Sequence, residues 1–131
     1  MASSFLKDAH PELVGRWIAV LDAYCTAHPG STLRVTCTYR SPEEQQVLYG
    51  QGRTAPGTIV TERDGVAHRS LHNMLPARAL DFAVLVAGKV VWDASQYEPV
   101  GALAQAHGLV WGGAWPHFKD FPHVELPKEI V

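Results

Sequence analysis

The sequence predicts an α+β domain, a small antiparallel sheet with helices packed on it. Two amphipathic helical stretches and a capped third stand before and between stretches of period two, two of which form an apparent hairpin. At 131 residues the chain reads as one domain, residues 1–131, and 47% hydrophobic content supplies a core without a disulfide scaffold.

The elements follow in order. Leu13, Trp17, Leu21 and Tyr24 mark one face of a helix from about Pro11 to His28, with Pro11 in the first turn and Pro29-Gly30 as the stop. Leu33, Val35, Cys37 and Tyr39 alternate with Arg34, Thr36 and Thr38, a strand with two unlike faces. Ser41-Pro42-Glu43-Glu44 is a capping box opening a helix to about Tyr49. Gly50 to Arg78 carries no sustained periodicity, and a long irregular stretch in a small domain is more often functional than idle. Ala79 to Val86 is a strand whose faces are Leu80, Phe82, Val84, Val86 and Ala79, Asp81, Ala83, Leu85. Ala87-Gly88 turns it into Lys89–Trp92. Tyr97, Val100, Leu103, Ala104 and His107 give a further helix closed by Gly108, followed by a Trp-Gly-Gly-Ala-Trp loop and a short strand around His123–Leu126.

Composition narrows function. Eleven basic against thirteen acidic residues leave a net charge of −2, which argues against a protein held to nucleic-acid phosphates. Seven histidines beside two cysteines permit a His/carboxylate metal site and exclude one of four thiolates. Cys25 falls in a helical pattern and Cys37 in a strand pattern. Both are expected as buried thiols outside the chemistry, with a disulfide as the other arrangement. The N-terminus lacks the basic and apolar regions of a signal peptide, and no stretch is apolar enough to span a bilayer. The expectation is synthesis in the cytosol, no stable membrane association and a monomer.

Asp81 is the first anomaly, a carboxylate inside an apolar strand. A loop returning along that strand brings His72 within reach. The residues alone leave two readings open: an ordinary ion pair with Arg78, Arg69 or His72, or part of a metal site. The second piece is Asp120-Phe121-Pro122-His123, where Pro122 biases Phe121 to extended backbone and starts a strand at His123. Zinc takes neutral imidazoles and a carboxylate with one position left for water, and a further carboxylate outside the coordination sphere can take that water's proton. His72, Asp81, His123 and Asp120 fill those four roles.

The chain resembles the M15 metallopeptidases, in particular phage peptidoglycan peptidases. The resemblance runs through His10-Pro11-Glu12-Leu13-Val14, Thr38-Tyr39-Arg40-Ser41 with Glu44-Gln45, and Tyr49-Gly50-Gln51-Gly52-Arg53-Thr54. It continues through Ser70-Leu71-His72-Asn73, Ala79-Leu80-Asp81, Trp111-Gly112-Gly113 and Phe118 to Leu126. It implies a single zinc-peptidase domain of hedgehog/DD-peptidase-like fold, with one Zn2+ per chain held by His72, Asp81 and His123. Asp120 would be the general base and later the acid toward the leaving amine. Arg40 would steady an oxyanion or a substrate carboxylate, with Gln45, Ser70 and His117 as substrate contacts. Glu125 either orients a histidine ligand by a hydrogen bond from behind or sits exposed. His10, His28 and His107 read as helix-end residues, and His68 has no assigned role. Trp111 and Trp115 either wall a peptide cleft or pack on the core.

Two departures stand out. His72 and Asp81 lie nine residues apart with Leu75-Pro76-Ala77 between, against a commoner spacing of seven with a glycine, and Ala114 takes a place relatives often give to a polar residue. The function implied is hydrolysis of the peptidoglycan stem peptide, at the L-Ala–D-Glu bond, by a phage lysis enzyme. It would be made in the host cytoplasm and released to the periplasm and wall through a separate pore. The alternatives are a D-Ala-D-Ala carboxypeptidase of the same fold and a non-catalytic zinc-stabilised wall-binding module.

Overall fold

The computed structural model describes residues 2–65 and 69–131, so His68 lies outside the described residues. Helix α1 spans Pro11–Ala27, strand β1 Ser31–Cys37, helix α2 Pro42–Gly50, strand β2 Ala79–Val86 and strand β3 Lys89–Val91. Helix α3 (Ala94–Ala106), strand β4 (Val110–Trp111) and strand β5 (His123–Glu125) complete the order, with short 3-10 turns at Leu6–Asp8, Leu71–Asn73 and Gly112–Ala114. All strand pairings are antiparallel, in the order β1-β2-β5-β4, with β3 also on β2. Strand β2 is therefore central: β1 takes one edge, and β5 and β3 share the other.

The predicted amphipathic faces build the core. Leu13, Trp17, Val20 and Tyr24 of α1 and Tyr97, Val100 and Ala104 of α3 pack on Leu80, Phe82 and Val84 of β2. Full burial of each such side chain is worth roughly 1.5–3 kcal/mol. The turn after β2 puts both Ala87 (φ 50°) and Gly88 (φ 79°) in the left-handed region, the geometry that two-residue hairpins require. The histidines at helix ends do cap: His10 Nδ1 accepts the Glu12 backbone N–H at 3.0 Å, and His28 and His107 close α1 and α3.

Three local readings are corrected. Strand β4 lies where the sequence suggested only loop. Its Trp111 packs against Gly101 of α3, where a Cβ would stand 2.2 Å from the indole. The alternation of β1 is interrupted: Val35 pairs with Phe82, but a bulge makes Cys37, not Thr36, the partner of Asp81. The slip moves Cys37 from the helix-facing side onto the face of Asp81. Both cysteines are free thiols, yet Cys25 is only half-buried.

Candidate active site

The register across the sheet assembles the site. Asp81 pairs with Cys37 on one side and His123 on the other, so the three side chains form one row on the face away from α1 and α3. His72 reaches that row from the Leu71–Asn73 turn. Ser70 caps the turn by accepting the His72 backbone N–H at 3.2 Å, and Asn73 answers by accepting from the Ser70 N–H at 2.9 Å. The turn is stapled to the segment joining β1 to α2: Arg40 N–H donates to the His72 carbonyl at 2.8 Å and the Asn73 amide donates to the Arg40 carbonyl at 2.8 Å. The long spacing between His72 and Asp81 leaves exposed Met74 and Leu75 outside and keeps the two side chains adjacent.

Three donor atoms converge. His72 Nε2 and His123 Nδ1 each lie 3.1 Å from Asp81 Oδ1, and 3.3 Å from each other. Bonds of ~2.0–2.1 Å to a tetrahedral metal place neighbouring donors ~3.3 Å apart, so this triangle has the size of a zinc-site face. The other ring nitrogens fix the tautomers. His72 Nδ1 donates to the Thr38 carbonyl at 2.7 Å and His123 Nε2 to Glu125 Oε1 at 2.7 Å, so neutral rings aim two lone pairs at one point. A cation is the group that satisfies two lone pairs and a carboxylate oxygen at once. Without one, protons must fill the gap. Burial pulls His72 down, but the charge and hydrogen bond of Asp81 prevail and push it up to about 10. His123 is likewise opposed by burial and raised to about 9, through its bonds to Asp81 and Glu125. Burial raises Asp81, yet the two histidines outweigh it and hold its carboxyl far below the carboxylate range.

Asp120 stands apart. Its Oδ2 is 3.7 Å from His123 Nδ1, a longer spacing than those of the triangle, though still within reach of an ion shared with Asp81 and His123. Burial pushes its pKa up, with the nearby Asp81 charge adding to this against the pull of His123. The 3-10 turn at Gly112 holds it in place: Asp120 N–H donates to the Gly112 carbonyl at 3.0 Å, and the Gly112 Cα lies so close that a Cβ there would stand 2.3 Å from the Asp120 carbonyl oxygen.

Behind the triangle, Arg40 Nη2 donates to Asp81 Oδ2 at 3.4 Å and to Cys37 Sγ at 3.5 Å, while Nη1 donates to Gln45 Oε1 at 2.8 Å. Gln45 is buried, and its amide also donates to Thr61 Oγ1 and the Arg63 carbonyl. The sequence suggests Gln45 as a substrate contact; its amide is instead spent on Arg40, Thr61 and the Arg63 carbonyl, beneath residues that line the cleft. Cys37 is the residue that sequence reasoning missed, since only the bulge carries it to Arg40 and His72. His117 is exposed on the cleft wall, and Ser70 lines the same wall beside the turn it caps. Trp115 lies with its ring 5.1 Å from His123, whereas Trp111 belongs to the core and donates to the Phe121 carbonyl. A cleft of about 1000 Å³ opens over the site, bounded by Ile59–Arg63, Arg69–His72 and Trp115–Asp120.

Three convergent donors, a detached carboxylate beside them and an open cleft wide enough for a peptide define the class as a metallohydrolase centre on an α+β scaffold. A sequence model described as D-alanyl-D-alanine carboxypeptidase, of the M15 peptidases, matches residues 64–126. The peptidoglycan L-alanyl-D-glutamate endopeptidase CwlK of Bacillus subtilis (strain 168) is 37% identical over 130 residues, covering 92% of this chain and 74% of that protein. The crystal structure of the L-Ala D-Glu endopeptidase ChiX of Serratia marcescens shares the fold, with a TM-score of 0.70, 23% identity and coverage of 93% of this chain and 83% of that one. The chain belongs to the M15 peptidase family and is a metallopeptidase.

Proposed function

We propose that the protein is a zinc-dependent peptidase of the bacterial cell wall that hydrolyses the L-Ala–D-Glu bond of the peptidoglycan stem. The observation that carries this is the donor triangle of His72, Asp81 and His123 with Asp120 3.7 Å to its side. The similarity to CwlK, named for that bond, supports the choice of substrate. In this reading His72, Asp81 and His123 hold one zinc ion. Bound there, zinc would lower the pKa of a water toward ~7 and polarise the scissile carbonyl.

The chain's own residues do the rest. Asp120 Oδ2 takes the proton of the attacking water, and its burial-raised pKa suits it to return that proton to the leaving amine. Glu125 and the Thr38 carbonyl hold the histidine tautomers. Arg40, fixed by Asp81 and Gln45, supplies positive charge beside the developing oxyanion. Ser70 and His117 contact the peptide from the cleft wall. The description of the matching family model favours a second reading, a carboxypeptidase removing terminal D-Ala at the same centre. The setting we propose is phage lysis, with synthesis in the host cytoplasm and passage to the wall through a separate pore. Among the described residues, no helix is long and apolar enough to cross a membrane.

The test is turbidity loss on Gram-negative cells stripped of outer membrane, with mass spectrometry of the released muropeptides. New D-Glu amino termini support the endopeptidase and loss of D-Ala alone supports the second reading. No new amino groups from zinc-loaded protein would sink both.

A further inference from the structure

Five cationic side chains line the cleft: Arg40, Arg63, Arg69, Lys119 and Lys128. Two are already occupied, Arg40 by Asp81 and Gln45, and Lys119 by the carbonyls of Gly113 and Trp115. Arg63, Arg69 and Lys128 are exposed, and their charged groups make no hydrogen bond or ion pair with any described residue; of the three, only the two arginines carry a planar fork. Glu62, the acid next to Arg63 on the same wall, pairs with neither among the described residues. The backbone beneath Arg63 is nevertheless fixed. The Arg63 carbonyl accepts from Gln45 Nε2 at 2.8 Å, the same glutamine that accepts from Arg40. Arg69 immediately precedes the capped turn that presents His72, so its backbone lies within ~10 Å of that ligand's. Two uncommitted guanidinium groups on one cleft beside a hydrolytic centre are suited to anion recognition, since the planar fork matches a carboxylate.

The substrate chemistry supplies the anion. A glutamate whose amine lies in the scissile amide has two carboxyl groups, and only one can continue the chain. The other is a free carboxylate, unless it is amidated, on the residue that leaves with the amine. We propose that Arg63 and Arg69 form a carboxylate subsite that reads this free group, making the enzyme selective for D-Glu over its amidated form. The inference rests on the endopeptidase reading above.

The experiment compares L-Ala-γ-D-Glu-L-Lys with its α-amidated D-isoglutamine counterpart, for zinc-loaded wild type, Arg63→Gln, Arg69→Gln, the double variant and Arg69→Lys. Wild type should favour the free acid roughly tenfold to hundredfold in kcat/KM, the worth of one or two charge-assisted hydrogen bonds. The preference should shrink in each Gln variant, collapse in the double variant through a raised KM, and be only partly retained in Arg69→Lys, which keeps the charge and loses the planar fork. Calorimetric binding of γ-D-Glu-L-Lys and γ-D-isoGln-L-Lys should show the same contrast without turnover. Equal handling of both peptides by wild type, or a preference that persists in the double variant, would overturn the subsite while leaving the endopeptidase reading intact. If wild type cuts neither peptide, that reading fails, and the binding contrast still decides the subsite. Both side chains are exposed, so unchanged melting temperatures are the expected control.

Discussion

Gly112→Ala displaces the base relative to the metal donors without replacing either. A Cβ at Gly112 would lie 2.3 Å from the Asp120 carbonyl oxygen and 3.1 Å from its Cβ. Ordinary carbon–oxygen approach is ~3.3 Å, so one backbone must give way by about 1 Å. His123 cannot follow easily, because its register with Asp81 and its bond to Glu125 hold it. The displacement therefore falls on Asp120, whose carboxylate must meet a water at hydrogen-bond distance. A misplacement of ~1 Å in a catalytic group can cost ~100-fold in rate. The assay is amine release from purified wall beside metal analysis of the same sample. We expect a kcat lower by about two decades with close to one ion retained per chain. Gly15→Ala is the control: no atom lies within 4 Å of its added Cβ on α1, so it should keep full activity and gain ~1 kcal/mol of stability. Wild-type rates in Gly112→Ala, or metal lost in step with activity, would refute the assignment of Asp120 as a base outside the donor set.

Further expectations follow from the same contacts. Glu125→Gln weakens the acceptor behind His123 and should lower metal affinity about 10–100-fold, read by competition with a chromophoric chelator. Gln45→Ala strips partners from Arg40 Nη1 and the Arg63 carbonyl; it should cost ~1–3 kcal/mol in denaturant unfolding and lower kcat through a loosened Arg40. Metal uptake must displace protons from His72 and His123, which sit at about 10 and about 9 in the metal-free protein. Affinity should therefore rise with pH up to about 10, by up to about tenfold per pH unit for each proton displaced, and calorimetry in buffers of different ionisation enthalpy should register the release. In the metal-free protein the sign runs as for any raised histidine: the stabilisation is complete below the unfolded value of 6.5 and fades as pH climbs through 9 to 10. Asp81 acts oppositely, stabilising above its ordinary 3.8 and losing that contribution only in strong acid.

How much of this was legible in the residues depends on how local each signal is. The Ala79–Val86 strand and the α1 and α2 boundaries follow from period, proline and capping chemistry, all of which act within a few residues. The unlikely carboxylate at Asp81 flagged the site because its cost is visible without any partner. The Pro122–His123 step similarly foretold where β5 begins. What stayed hidden is what long-range pairing decides. Nothing near Thr36 announces the bulge that turns Cys37 toward Arg40, because a bulge answers to the register of the neighbouring strand. Strand β4 is only two residues long and exists through its pairing with β5. Gln45 carried a motif but no direction, and only the folded loop shows its amide facing Arg40 and Arg63. The near-neutral net charge hid a cleft in which five cations gather.

We propose that His72, Asp81 and His123 hold one catalytic metal while Asp120 works beside it without binding. Metal content and amine release, measured on the same preparations of wild type and Asp120→Asn, test this most directly. One zinc per chain is expected in both, with a rate at least 100-fold lower in the variant. A variant that loses the ion, or one that keeps the wild-type rate, would contradict it.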